Sequence, residues 1–367
     1  MARLRFEDVS HRYGDGPWVL EGLHLDVADG EAHALLGPSG AGKSTVLNLL
    51  SGLRSPTAGC IRLDDADVTR ASPRARNIAQ VFQFPVVYDG LSVRGNLMFP
   101  LRNQGMAAAA ARARVDAIAE LMELTQVLDA RSAALSAYDR QKAAMARALV
   151  RPDVAAVLLD EPLTAVEPGA KWRLRRALKH VQRELGLTMI YVTHDQLEAL
   201  SFADRVSVME GGRILQTATP AALFDDPDHA FVGHFIGSPG MNLLPATVTG
   251  RTVRLEGCEA FELGDAFPDG DCELGFRPED GEIGGAAAET SAAVSIPVVV
   301  EQVRTLGLRG GTAQGRVQAT FAGRHLHLRQ ATTDVTPGPT HLHVPRERVR
   351  LFRDGWRLRG EGGRHET

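Results

Sequence analysis

Short, largely apolar runs recur through the first two thirds of the chain and predict the strands of a parallel sheet. They cover residues 32–36, 78–82, 154–159 and 188–192. Strands that are buried on both faces carry such runs, whereas half-exposed strands alternate apolar and polar positions. Between the second and third runs, apolar residues such as those at 115, 118, 121 and 122 recur at helical spacing. We therefore predict an α/β domain with an inserted helical segment over about residues 86–152.

The pattern changes near residue 237. Residues 237–240 form the clearest linker, and short alternating strands follow it, for example over residues 247–255 and 294–303. Gly- and Pro-containing turns separate these strands, which is typical of a small β-barrel or sandwich. At roughly 150 residues per domain the chain has room for two or three domains. We assign residues 1–236 to the α/β domain and residues 237–367 to an all-β domain.

A glycine-rich stretch between the first apolar run and a following helix matches the pattern G-x-x-x-x-G-K-[ST]. Its residues are Gly37, Pro38, Ser39, Gly40, Ala41, Gly42, Lys43, Ser44 and Thr45. In a strand–loop–helix context, backbone N–H groups turn inward around an anion and the helix N-terminus adds positive potential. Lys43 is expected to reach the β- and γ-phosphates of a nucleotide, and Ser44 to offer its hydroxyl to Mg²⁺. The alternative is a glycine-rich turn that binds nothing, which the complete motif and its context disfavour.

Polar residues follow the other three apolar runs. These residues are Gln83, the pair Asp160 and Glu161, and His194. Side chains at the carboxyl ends of parallel strands point at the crevice where ligands bind. Asp160 suits a water-mediated Mg²⁺ contact, and Glu161 suits orienting or deprotonating an attacking water. The alternatives are an acidic pair at a helix N-terminus, a loop glutamine and a structural histidine; position alone favours the loop interpretation for Gln83 and the functional one for His194.

Tyr13 lies 24 residues before the glycine-rich stretch, in a predicted loop. An aromatic side chain there can stack on a purine ring, or it can cover the edge of a sheet. Spacing alone does not separate these two interpretations.

Composition narrows the classes of partner. Lys and Arg number 41 against 45 Asp and Glu, and a net charge of −4 gives no case for nucleic acid or an anionic membrane as a bulk electrostatic partner. The three cysteines show no metal-binding spacing and fit a reducing compartment. The chain begins without a signal-like segment, and its apolar runs are far shorter than the ~20 residues of a membrane span. We expect a chain that is soluble by itself and reaches a membrane through a partner.

The motifs occur in a distinctive order: the glycine-rich stretch, Gln83, residues 135–141, the Asp160–Glu161 pair and His194. In this order they resemble the ATP-binding subunits of ABC transporters, over about residues 1–236. The resemblance implies a P-loop ATPase fold with ATP and Mg²⁺ as ligands. The roles implied for single positions are adenine stacking by Tyr13, phosphate binding by residues 37–45, Mg²⁺ contact by Ser44, Gln83 and Asp160, catalysis by Glu161, γ-phosphate contact by His194, and γ-phosphate contact in the opposite subunit by Ser136.

The C-terminal part resembles the extension of sugar and polyol importer ATPases of the maltose and glycerol-phosphate type. Residues 275–280, Gly-Phe-Arg-Pro-Glu-Asp, and residues 229–245 carry this resemblance. It implies OB-like, TOBE-type β-subdomains and an importer with two membrane subunits and, indirectly, a solute-binding protein. The implied location is the cytoplasmic face of the cell membrane, with no nucleic acid partner. The expected solute is a sugar, a glycerol phosphate or a polyol, with glycerol favoured.

Two positions depart from the family pattern. Where the family has Leu-Ser-Gly-Gly-Gln, this chain continues from Ser136 with Ala137, Tyr138 and Asp139, and Glu167 replaces an aspartate in a later loop. At the position of Tyr138 the family has a glycine, whose missing side chain lets the backbone approach the phosphate closely. Asp139 brings a negative charge towards that phosphate.

The Leu-Ser-Gly-Gly-Gln pattern is the family's signature segment, and it contacts the ATP that the opposite subunit binds. The departures in this chain therefore affect the ATP site of the partner subunit. We therefore expect a second, different ATPase subunit, in a heterodimer rather than a homodimer. Two alternatives remain. The first is an ATP-binding regulatory subunit with weak hydrolysis, which intact Glu161 and His194 disfavour. The second is a soluble ABC protein outside transport, which usually carries a second cassette or a long coiled-coil insertion.

Overall fold

The computed structural model describes residues 2–284, 292–309, 312–331 and 335–360. Its internal contacts divide the chain into two compact units, Met1–Pro220 and Ala221–Thr367. Within the described ranges, no helix combines the length and the apolar character needed to cross a membrane.

The strands of the first unit form two sheets. They are β1 (Leu4–Arg12), β2 (Trp18–Val27), β3 (Ala32–Leu36), β4 (Ala58–Leu63), β5 (Ala66–Asp67), β6 (Ala79–Val81), β7 (Val157–Asp160), β8 (Met189–Thr193), β9 (Arg205–Glu210) and β10 (Arg213–Ala218). The smaller sheet has the order β2-β1-β4-β5 with antiparallel pairs. The larger has the order β10-β9-β3-β8-β7-β6, and all its strand pairs are parallel except the antiparallel pair of β9 and β10. Every residue of β3 and β8 is buried, as expected for central parallel strands.

Helices cover the larger sheet and form the predicted insertion. They are α1 (Lys43–Ser51), α2 (Pro73–Arg76), α3 (Val93–Asn103), α4 (Ala108–Leu121), α5 (Ala137–Leu149), α6 (Pro168–Leu185) and α7 (Gln196–Phe202). α3, α4 and α5 lie between β6 and β7 in the chain. Val115 and Ile118, the apolar stripe of α4, are fully buried in a core shared with Leu159 of the sheet. The insertion therefore packs by the helical periodicity of its sequence.

Helix α6 has clear start and stop signals. Pro168 occupies its first turn, and Gly186 ends it in the left-handed conformation, with φ of 59°. Leu174, Leu178 and Val181 are fully buried on one face. The other face is rich in Lys and Arg.

The second unit is mainly β-structure. Its elements are α8 (Pro220–Asp225), α9 (Ala230–Phe235), β11 (Asn242–Leu255), β12 (Phe261–Phe276), β13 (Glu282–Gly284), β14 (Ala293–Arg309), β15 (Thr312–Phe321), β16 (Arg324–Ala331), β17 (Gly338–Pro345), β18 (Arg350–Arg353) and β19 (Trp356–Arg357). Two antiparallel sheets, β11-β12-β18-β19 and β13-β17-β14-β15-β16, share one apolar core. The expected fold class, an α/β domain with a helical insertion followed by an all-β domain, is confirmed.

The division between the two units falls at Pro220, ahead of the linker at residues 237–240. Arg277 accounts for the difference, because its buried guanidinium donates to the carbonyl oxygens of Phe224, at 2.7 Å, of Gly233, at 2.7 Å, and of Ile236. These contacts attach α8 and α9 to the β-structure. Burial lowers the pKa of Arg277 to about 10. A boundary at residue 236 stays a prediction, and truncation can test it.

Candidate functional site

The glycine-rich stretch joins β3 to α1, and two of its glycines have no room for a side chain. A Cβ at Gly37 would lie 2.3 Å from the carbonyl oxygen of Met209. Gly42 precedes α1 with φ of 97°, and a Cβ there would lie 2.7 Å from Leu20 Cδ2. Only glycine fits these positions, and the loop therefore turns tightly into the helix N-terminus.

Lys43, the first residue of α1, folds back over this loop. Its Nζ donates to the carbonyl oxygens of Gly37 and Pro38, each at 2.8 Å, and the side chain is buried. Burial lowers the pKa of Lys43, and the carboxylates of Glu161 and Asp160 act in the opposite direction. The positive charge is therefore held inside the loop and close to the carboxylates that follow β7.

Asp160 is the last residue of β7, and it approaches Ser44 at the start of α1. Burial raises the pKa of Asp160 and the neighbouring Glu161 raises it further, whereas a hydrogen bond with Ser44 and the charge of Lys43 lower it. A hydroxyl and a carboxylate thus lie together beside the loop. In the part of the chain that the structure describes, no cluster of three or more His, Cys, Asp or Glu side chains could hold a metal by itself.

Glu161 and His194 meet because they follow neighbouring strands. Glu161 N donates to Val192 O at 3.0 Å, and His194 Nδ1 lies 3.1 Å from Glu161 Oε1. Thr164 Oγ1 donates to the other carboxylate oxygen at 3.3 Å. Glu161 has φ of 43°, a left-handed conformation that costs energy for a residue with a Cβ. The backbone strain and the contacts at both oxygens indicate a carboxylate that is held in one position.

Tyr13 follows β1 and reaches the end of the glycine-rich stretch. Its hydroxyl lies 3.2 Å from Thr45 Oγ1. The edge of His11 packs against the ring with a centroid distance of 4.9 Å, and the guanidinium of Arg54 lies 5.3 Å from the ring centre. The ring remains 43% exposed. A partly exposed aromatic ring is therefore held beside the glycine-rich stretch.

Gln83 lies in the loop after β6, two positions beyond the end of the strand at Val81, as the loop interpretation predicted. The residue is half-buried. Because β6 pairs with β7, the loop starts beside the strand that ends in Asp160. Among the described residues, no hydrogen bond joins Gln83 to Ser44 or Asp160.

Ser136 caps the N-terminus of α5. Its Oγ accepts from Asp139 N at 3.1 Å and donates to Asp139 Oδ2 at 2.8 Å. The other Asp139 oxygen lies 3.4 Å from Lys142 Nζ. The ring of Tyr138 is partly buried against the helical core, with Lys142 Nζ 4.8 Å from its centre. Asp139 is therefore directed back onto Ser136 and Lys142, and Tyr138 is directed into the helical core.

Sequence reasoning missed three residues of this site. Thr164 contacts the Glu161 carboxylate, and Arg54 and His11 flank the Tyr13 ring. The only available signal for Thr164 was its place three residues after Glu161. Neither Arg54 nor His11 belongs to a sequence motif. Their contacts with the Tyr13 ring depend on how the smaller sheet packs beside the glycine-rich stretch, which the sequence alone does not reveal.

Comparison with known proteins identifies the family of this chain. A family model described as ABC transporter matches residues 20–164. An sn-glycerol-3-phosphate import ATP-binding protein of Chromohalobacter salexigens is 41% identical over 84% of this chain and 82% of its own. A diacetylchitobiose uptake system ATP-binding protein of Streptomyces coelicolor is 37% identical over 94% and 97%.

Two solved structures are similar to this chain. The cbiO1 protein of Clostridium perfringens, part of an ABC transporter complex, superposes with a TM-score of 0.56 at 28% identity, over 61% of this chain and 90% of its own. A dimeric bacterial ABC transporter cassette, MJ0796, gives a TM-score of 0.52 at 26% identity, over 59% and 98%.

Proposed function

Because this chain belongs to the ATP-binding subunits of ABC importers, we propose that its ATP hydrolysis drives uptake of sn-glycerol 3-phosphate through partner membrane subunits. Relatives named for sn-glycerol-3-phosphate import support this solute, and a relative named for diacetylchitobiose uptake makes a glycoside the next candidate. Glycerol itself, which the sequence favoured, has less support than the phosphate ester.

We infer that ATP binds at the glycine-rich stretch, with its phosphates against the backbone N–H groups of residues 37–45. Lys43 would exchange its bonds to the Gly37 and Pro38 carbonyls for the β- and γ-phosphates, since a buried ammonium needs an acceptor. The exposed face of Tyr13 would stack on adenine. The observation that carries this assignment is the enclosure of Lys43 between the loop and the carboxylates after β7.

The residues beside the loop fit Mg²⁺. Ser44 and Asp160 offer neighbouring oxygen ligands of the kind that Mg²⁺ prefers, and its other ligands would be phosphates, water and, as we propose, Gln83. When bound, Mg²⁺ would neutralise the charge of the phosphates. A cation there would also favour the ionised form of Asp160 and so oppose the effect of burial, because a nearby positive charge stabilises the carboxylate.

We propose that Glu161 positions the attacking water and takes its proton. His194 Nδ1 must carry a proton to donate to Glu161 Oε1, which leaves Nε2 as the ring atom available to other partners. His194 would thereby fix the carboxylate and contact the γ-phosphate. Thr164 fixes the second oxygen, so the base would act from one defined orientation.

We propose that Ser136 acts in the ATP site of a second ATPase subunit and that this subunit is a different chain. The Ser136 hydroxyl donates to Asp139, so it would need to turn to serve as a phosphate donor. A homodimer would carry this feature in both sites, and a heterodimer in one. The remaining proposed partners are two membrane subunits and a solute-binding protein, at the cytoplasmic face of the cell membrane, with no nucleic acid.

Transport in reconstituted vesicles tests the proposal. The chain would be reconstituted with its membrane subunits, solute-binding protein and any second ATPase. We expect ATP-dependent uptake of radiolabelled sn-glycerol 3-phosphate, no uptake of glycerol, and loss of uptake with Lys43→Ala in this chain. Uptake of diacetylchitobiose without uptake of sn-glycerol 3-phosphate would show that the solute is a glycoside instead. Wild-type nucleotide affinity in Lys43→Ala would show that the ATP site is wrong.

A further inference from the structure

Helix α6 carries a dense run of positive charge on a chain that is acidic as a whole. Its 18 residues include six Lys or Arg side chains and one Glu, whereas the whole chain has 41 basic and 45 acidic side chains. The nucleotide site does not use these cations. A concentration of like charge on one helix costs self-repulsion, so it indicates a use for the charge.

Two of the six cations have a carboxylate partner. Lys171 Nζ lies 2.9 Å from Glu198 Oε1, and Lys179 Nζ lies 2.8 Å from Asp204 Oδ1. Across the described ranges of the chain, the other guanidinium groups of α6 have no carboxylate within ion-pair distance; these belong to Arg173, Arg175, Arg176 and Arg183.

These cations line a groove of about 890 Å³. The walls come from α6, from Leu121 and Glu123 at the end of α4, and from Ser201 of α7. Trp172 also lines the groove, with 53% of its surface exposed. A large aromatic side chain and several unpaired arginines therefore share one concave surface, which we call the α6 groove.

The charges of the α6 groove form a line. Trp172, Arg176, Lys179 and Arg183 recur at intervals of three and four residues, so they share one helix face. Lys179 is paired with Asp204, so Arg176 and Arg183 supply the unpaired charge of this face. At 1.5 Å per residue this stripe is about 16 Å long. A compact anion would need donors that converge on one point. A line of cations instead fits a chain molecule that carries repeated negative charges.

We propose that the α6 groove docks an acidic segment of a separate protein. Trp and Arg are the residue types that dominate binding energy at protein interfaces, and here both are exposed together. A nucleic acid would need a larger basic footprint, of about 1,000 Å² or more, than one helix face provides. A membrane surface is flat and does not enter a concave groove. Carboxylates along an extended or helical segment match both the length and the charge of the stripe.

Peptide binding to the full chain tests this proposal. The probe is a fluorescently labelled short peptide of alternating glutamate and leucine, followed by anisotropy over a range of salt concentrations. We expect the paired change Arg176→Glu and Arg183→Glu to weaken peptide binding by at least about tenfold and to flatten its salt dependence. Trp172→Ala should weaken binding and leave the salt dependence unchanged, because it removes contact area and no charge.

The matched control reverses the charge of two exposed arginines outside the groove, with Arg74→Glu and Arg254→Glu. It makes the same change of net charge and should bind the peptide as the wild type does. ATPase activity of both paired variants should equal that of the wild type and serves as the folding check. The proposal is overturned if the wild type does not bind the peptide, if both paired variants lose binding equally, or if labelled oligothymidine or anionic lipid vesicles bind the groove more tightly than the peptide.

Discussion

His194 Nδ1 lies 3.1 Å from Glu161 Oε1, and this contact joins the ends of two neighbouring parallel strands. The register pairs Asp160 of β7 with Val192 of β8, so the residues that follow these strands emerge side by side. Thr164 engages the second oxygen of Glu161. The carboxylate is therefore fixed by a ring nitrogen and by a hydroxyl, on a backbone that is itself strained at Glu161.

Glu161→Gln should retain ATP binding and lose hydrolysis. The amide keeps the size of the side chain but cannot accept the proton of the attacking water, so the rate should fall by at least about 100-fold. Equilibrium ATP binding and single-turnover hydrolysis measure the two effects separately. Glu120→Gln, at an exposed position of α4, is the control and should behave as the wild type. Near-normal single-turnover hydrolysis in Glu161→Gln would refute the role of this carboxylate.

Tyr13→Ala should weaken ATP binding, whereas Tyr13→Phe should change it little. Phe keeps the exposed ring and loses only the hydroxyl contact with Thr45. Stacking on a base contributes about 1–3 kcal/mol, so a loss of about tenfold in affinity is expected for the alanine variant. Binding of inorganic tripolyphosphate, which has no base, is the internal control and should be equal in all three proteins. If Tyr13→Ala weakens tripolyphosphate binding equally, the ring supports the loop and does not contact adenine.

The sequence predicted those elements that depend on local pattern, and it could not predict those that depend on side-chain packing. The apolar run at residues 32–36 is β3 with the same bounds, because a strand buried on both faces has few alternatives. The run at residues 78–82 gives only Ala79–Val81, because its pairing with β7 ends at Val81 and Leu159 and the Phe82 side chain is exposed. The bond between Ser136 and Asp139 and the contact of Thr164 with Glu161 depend on side-chain rotamers. The contacts of α9 with the β-structure include Arg277, which donates to the carbonyls of Gly233 and Ile236 from about 40 residues further along the chain.

Asp160→Asn should stabilise the nucleotide-free protein at neutral pH while abolishing Mg²⁺-dependent hydrolysis. Burial raises the pKa of Asp160 above its ordinary value of 3.8, so ionising this carboxyl group costs more free energy in the folded state than in the unfolded state. Folding is then penalised at pH values above the raised pKa, and the penalty disappears below 3.8, where both states are protonated. The gain in Tm should therefore be present at pH 7 and fade as the pH falls through the raised pKa.

Thermal unfolding of the two proteins across this pH range measures that gain. Asp15→Asn, at an exposed position with an unburied carboxylate, is the control and should show no gain. A lower Tm for Asp160→Asn at pH 7 would mean that the attraction between Asp160 and Lys43 outweighs the cost of burial.

Truncation should separate the two possible domain boundaries. A fragment of residues 1–219 should fold and bind ATP, whereas a fragment of residues 1–237 should bind ATP but expose apolar surface. The longer fragment keeps α8 and α9 without Arg277, which donates to their carbonyl groups, and leaves Leu223 and Val232 without their burial. Fluorescence of a hydrophobic dye and Tm measure the difference. A longer fragment with the higher Tm and no dye binding would place the boundary at residue 236, as the linker sequence predicts.

The last prediction concerns the second ATPase subunit. In the proposed heterodimer, the ATP held by Lys43 of this chain faces the partner's signature segment, whereas the partner's ATP faces Ser136 and Asp139. The Ser136 hydroxyl donates to Asp139 at 2.8 Å, so it is engaged within its own chain. Loss of one preorganised donor costs about 10²–10³ in rate. Because Ser136 faces the partner's ATP, this slower hydrolysis is expected in the partner's site and not in the site of this chain.

Glu161→Gln in this chain should therefore abolish transport by the reconstituted complex, and the equivalent change in the partner should reduce transport much less. Asp139→Gln should raise hydrolysis at the partner's site, because it releases Ser136 and removes a negative charge near phosphate. Full transport with this chain as the only ATPase subunit would refute the heterodimer and would show that Ser136 turns to the phosphate despite Asp139.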